Sequence, residues 1–106
     1  LREAAPSLRG ARIKITVEGT TPPMEKTKSS EKLFARAQAV AEGLGLSLKG
    51  GRTGGGSDAS IAAGLGVPTL DGLGPDGDGL HAEREHLLLP SLVERTALLT
   101  ELLKTL

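Results

Sequence analysis

Five of the seven residues from Gly50 to Gly56 are glycine. No helix or strand interior tolerates such a run, because each glycine gives up more backbone freedom on ordering than any other residue. The chain must therefore open into a loop here. The usual compensation for that entropy is the close approach of a ligand or of a second backbone. A second glycine-rich stretch runs from Asp71 through Gly72, Gly74, Pro75, Gly77 and Gly79 to His81, then into the acidic residues Glu83 to Glu85.

The segments between these loops read as regular elements. Arg12 to Glu18 alternates Ile13, Ile15 and Val17 with polar residues, the period of a strand with one buried face. Pro22 and Pro23 follow as a stiff connector. From Ser30 the apolar positions Leu33, Phe34, Ala37, Val40, Ala41 and Leu44 recur at helical spacing, with Ser29 or Ser30 as cap and Gly45 as the left-handed stop. Leu46 to Leu48 reads as a short strand. A brief helix through Ile61 to Leu65 is capped by Ser57 or Asp58 and stopped by Gly66, and Val67 to Leu70 reads as a buried strand. His86 to Leu89 reads as one more strand. A last helix from Pro90 or Ser91 carries Leu92, Val93, Thr96, Leu99, Leu102, Leu103 and Leu106. Strands alternating with helices imply an α/β layered domain, with both glycine-rich loops at the carboxyl ends of strands, where open sheets place ligands.

Composition removes several function classes. With 106 residues and 38% apolar content the chain is expected to form one compact domain or a piece of one. Thirteen basic and thirteen acidic residues balance, and Phe34 is the single aromatic, so there is neither a field for phosphate backbones nor a stacking platform: no nucleic acid is expected as partner. Apolar runs are too short to span a bilayer, so no membrane partner is expected either. Absence of cysteine excludes thiolate chemistry and is compatible with either redox compartment. Leu1 to Arg12 lacks a signal-peptide pattern and reads as the interior of a longer chain, so a fragment is expected.

Known loop motifs fit poorly. Gly54-Gly55-Gly56-Ser57-Asp58-Ala59 satisfies a loose G-x-G-x-x-A, yet Asp58 would put a carboxylate where a pyrophosphate must lie. A Walker loop needs a lysine after Gly56, and a nucleophile elbow needs glycine where Ala59 stands. Ser57 and Asp58 also suit a plain helix cap. His81 and Glu83 would share one face of an extended segment and are ordinary zinc ligands, but zinc takes three or four protein donors. His86 reads as a half-exposed strand residue. Arg52 offers a planar fork for a carboxylate, beside small residues.

Taken in order, Pro22-Pro23-Met24, Arg52-Thr53-Gly54-Gly55-Gly56-Ser57-Asp58-Ala59, Gly66-Val67-Pro68-Thr69-Leu70-Asp71-Gly72-Leu73-Gly74 and Gly79-Leu80-His81-Ala82-Glu83 form a pattern. It resembles the carboxyl-terminal part of the zinc-dependent aminoacylase, glutamate carboxypeptidase and acetylornithine deacetylase superfamily. The resemblance implies a layered helix-sheet catalytic-domain fragment over residues 19–106, preceded by the last helix and strand of a lid, or dimerisation, domain over residues 1–18. It implies amide or peptide hydrolysis on a small N-acyl amino acid or peptide, one or two Zn²⁺ ions, and a homodimer in the complete enzyme. His81 matches the family's last metal ligand. Arg52 matches a substrate-carboxylate arginine, with Gly55, Gly56 and Ser57 lining the same pocket. The other ligands and the general base belong to an amino-terminal half that no segment here resembles, so the segment alone is expected to be inactive and need hold no zinc by itself. Thr21 stands where some carboxypeptidases carry a second arginine. The alternative class is an autonomous, non-catalytic α/β interaction module.

Overall fold

The computed structural model describes residues 5–106, so the expected lid segment over residues 1–18 lies outside the described residues for Leu1 to Ala4. The element order is α1 (Lys28–Gly43), α2 (Ala59–Gly64), β1 (Gly77–Asp78), β2 (His86–Leu87) and α3 (Leu89–Lys104).

The first helix starts one turn of hydrogen bonding earlier than its serines suggest. Thr27 is the cap: its hydroxyl accepts from the Ser30 amide at 3.1 Å. Ser30 Oγ in return accepts from the Thr27 amide at 2.9 Å, so serine takes the reciprocal place that glutamate usually holds in a capping box. The helix ends as the glycine signal requires. Gly45 adopts φ 72°, its amide donates to the Glu42 carbonyl, and the Leu46 amide donates to the Ala41 carbonyl at 2.8 Å. These two bonds satisfy carbonyls that the last turn leaves without partners. The expected apolar face is largely correct: Ala37 and Ala41 are buried, Leu33, Phe34 and Val40 half-buried, and Leu44 exposed.

The final helix has its expected extent, but of its expected apolar face only Leu102 is buried. Pro90 sits in its first turn, where a missing amide costs nothing. Ser91, Leu98 and Leu102 are its buried residues. Leu92, Val93, Leu99, Leu103 and Leu106 stand exposed. The helix is leucine-rich on more than one side, it packs against α1, and Leu98 and Leu102 are the leucines it buries. Ala37 and Ala41 are the buried residues of α1, and Arg36 Nη1 donates to the Thr105 carbonyl at 2.8 Å, placing a cation at the C-terminal end of α3.

The sheet expectation needs correction. Residues 12–18, 46–48 and 67–70 carry no ladder, because alternation gives a segment an apolar face while only a neighbouring backbone gives it hydrogen bonds. The described sheet is one antiparallel hairpin, with Gly77 opposite Leu87 and Asp78 opposite His86. Helix therefore packs on helix, rather than on a sheet layer. Nor is the molecule compact: its radius of gyration is 19.1 Å, against roughly 13 Å for a compact domain of about 100 residues. Buried apolar residues are confined to Ala37, Ala41, Leu98 and Leu102 among the described residues. Three helices and a hairpin around so small a core are consistent with part of a larger domain. No helix of the described residues is long and apolar enough to cross a membrane.

Candidate functional site

The hairpin and α3 are built as one unit. The Leu88 amide donates to the Asp76 carbonyl at 2.8 Å, extending the pairing beyond the two ladder positions. Buried Ser91 joins them again: its hydroxyl accepts from the Asp76 amide at 2.8 Å and donates to the Leu88 carbonyl at 2.7 Å. Arg95 Nη2 reaches Asp76 Oδ1 at 3.0 Å. A short strand pair that would be marginal alone is thus tethered to the best-packed element of the chain.

The turn that this hairpin closes carries His81. Residues 80–84 are turn and bend rather than extended chain, so the expectation that His81 and Glu83 share one strand face does not hold. Two successive turns reverse the backbone, with the Ala82 amide donating to the Gly79 carbonyl and the Glu85 amide to the Ala82 carbonyl, both at 2.9 Å. His81 lies at φ 63° in the left-handed region, where a side chain is strained. The acid that reaches it is Glu85, whose Oε2 accepts from the His81 amide at 3.2 Å. Sequence spacing pointed to Glu83. His86, exposed on β2, has Nδ1 3.0 Å from the Arg84 carbonyl and is a structural member of the same turn.

The first glycine-rich loop is a different object. Phe34 of α1 covers Gly50, its Cζ standing 3.3 Å from where a Cβ would be. The Gln38 side-chain amide donates to the Leu48 carbonyl at 3.1 Å, fixing the approach to the loop. Beyond Gly50 the loop is open. A Cβ on Gly51, Gly54 or Gly56 would meet nothing within 4 Å, and one on Gly55 would meet only Thr53 Oγ1 at 3.6 Å. Arg52 is exposed and forms no ion pair among the described residues. Ser57, half-buried, accepts from the Ala59 amide at 3.1 Å and so orders the start of α2. Asp58 occupies the cap position in helical conformation without a side-chain hydrogen bond, so of the two expected caps only Ser57 takes part.

Among the described residues no hydrogen bond or ion pair joins the 50–56 loop to the 79–85 turn. The described residues also contain no group of three or more His, Asp or Glu able to hold a metal ion. His81 offers one exposed imidazole, which suits one position of a zinc site. The described residues by themselves do not fit a complete one, and no catalytic step follows from them.

Compared with known proteins, the chain matches the family model of peptidase family M20/M25/M40 over residues 5–105. No curated protein gives a match, and no solved structure does.

Proposed function

We propose, because this chain belongs to peptidase family M20/M25/M40, that its residues form the substrate-facing and last-ligand portion of a metal-dependent amide hydrolase. Relatives in the family are metallopeptidases and typically bind zinc. The observation that carries the reading is the empty space along Gly51 to Gly56 beside an exposed guanidinium. Residues that forgo side chains without any protein atom filling the space leave room for a ligand, and a planar fork at its edge suits a carboxylate.

In this reading Arg52 binds the carboxylate of a small N-acyl amino acid or peptide, and Gly55, Gly56 and Ser57 line the pocket. Fixing that carboxylate orients the scissile amide, which turns binding energy into positioning at the reacting carbon. His81 donates a ring nitrogen to the metal, which supplies Lewis acidity when bound. The remaining donors and the general base come from outside residues 5–106. Residues 1–18 belong to a lid, or dimerisation, domain and residues 19–106 to the catalytic domain, in an enzyme that works as a homodimer. The exposed leucines of α3 and the large radius of gyration favour this over an autonomous interaction module, which would need to bury more of its own apolar surface.

Two measurements test it. Calorimetric titration of the chain with Zn²⁺ should show no binding at micromolar metal, since one imidazole cannot make a tight site; micromolar binding would mean that the chain assembles a site of its own and would overturn the assignment of missing donors. In the enzyme carrying this segment, Arg52→Ala should raise KM for carboxylate substrates by roughly tenfold or more, the scale of a lost charge-assisted hydrogen bond, with neutral analogues unaffected. Equal kinetics on both substrate classes would remove the Arg52 role.

A further inference from the structure

Among the described residues His81 is the one residue other than glycine with positive φ. A side chain stays in that region only where its surroundings over-determine it. Three features do so here. Gly79, two residues earlier, is buried and itself at φ 75°, with Arg84 Cγ and the Arg84 carbonyl oxygen each 3.0 Å from where its Cβ would be. The paired turns fold the chain back over residues 79–85. Finally, the Glu85 carboxylate accepts from the His81 amide.

We propose that Glu85 is a positioning residue for His81: its carboxylate clamps the His81 amide and holds the left-handed turn from which the exposed imidazole is presented. The proposal rests on the reading of His81 as a metal donor for its functional meaning, while the clamp itself is a property of the chain without metal. The contact is a four-residue bridge across a turn whose two ends are already brought together by β1 and β2, so little further chain entropy is lost in forming it. A ligand held by a left-handed backbone has one presentation; freed to extended conformations, the same imidazole would sweep over several.

The test compares Glu85→Ala with Glu85→Gln in the full 106-residue chain by nuclear magnetic resonance. Both side chains leave an exposed position, so the amides of α1 and α3 should keep their shifts and serve as the folding control. In Glu85→Ala the His81 amide should exchange roughly two- to tenfold faster, the range of one net hydrogen bond, and its coupling and carbon shifts should leave left-handed values. Glu85→Gln retains an acceptor oxygen and should restore both. His81 signals unchanged by alanine, or disturbed by glutamine as much as by alanine, would overturn the clamp. Metal content of the loaded enzyme carrying the segment separates the two layers: loss of metal in His81→Ala with retention in Glu85→Ala overturns positioning alone, whereas retention in His81→Ala overturns the donor reading and leaves the clamp to the resonance data.

Discussion

At Gly77 a methyl group would strike the His86 carbonyl and the Leu87 Cα of the returning strand, and at Gly79 it would press on Arg84, whereas at Gly54 or Gly56 it would meet nothing within 4 Å. The glycines at 77 and 79 and those from 51 to 56 therefore answer different physical needs, although Gly72 and Gly74, earlier in the second loop, are as open as Gly54. In the 77–79 region glycine is demanded from within, by a backbone packed against it and, at Gly79, by a positive φ. Between Gly51 and Gly56 the described residues make no such demand, and the missing side chains leave space beside Arg52. A glycine cluster can thus be a packing device in one loop and an open surface in the next, and only the neighbours tell the two apart.

Substitutions can break or sharpen that contrast. The largest effect is expected for Gly77→Val, where both Cβ and its branches meet backbone that cannot rotate away; the hairpin should lose about 2–3 kcal/mol, the scale of overpacking, read as faster exchange of the Leu88 amide that bonds to Asp76. Protection equal to that of the unaltered chain would show that the strands part without penalty. Gly79→Ala should lose about 1–2 kcal/mol by the same probe, the penalty for a side chain in left-handed conformation, and should also disturb the neighbouring His81. At the small end, Gly56→Ala should leave stability unchanged or raise it by about 0.4–1 kcal/mol in a urea titration, through a less flexible unfolded chain. On the proposed pocket assignment, the same alanine should weaken substrate binding in the enzyme carrying the segment. A Gly56→Ala chain as damaged as Gly79→Ala would erase the distinction between the loops.

The helices were legible because their signals are local. Thr27 lies one turn before Ser30, and the capping bonds span three residues; Gly45 ends α1 through bonds to Glu42 and Ala41 just before it. The face of α1 was legible as well, since its apolar residues form one stripe. The face of α3 was not. Its leucines surround the helix, and burial of Leu98 rather than Leu99 accompanies the packing of α3 on α1. The segments at 12–18, 46–48 and 67–70 show the limit most clearly, because alternation or apolar content marks a chain fit for a ladder and says nothing of whether a partner lies beside it. Of the candidate site, the position of the open loop could be read from its glycines. Glu85 could not, because its approach depends on a turn that brings the fifth residue back over the first.

The sequence by itself determined where this chain must break, where its helices begin and end, and which family's pattern it carries, since capping bonds, glycine conformations and motif spacing act within a few residues. The tertiary structure alone decided which leucine faces the core, which segments go without a ladder, and which acid holds the histidine. Those outcomes depend on groups brought together from separate parts of the chain or by a specific turn, and the free energy of such a contact exists only once both sides are in place.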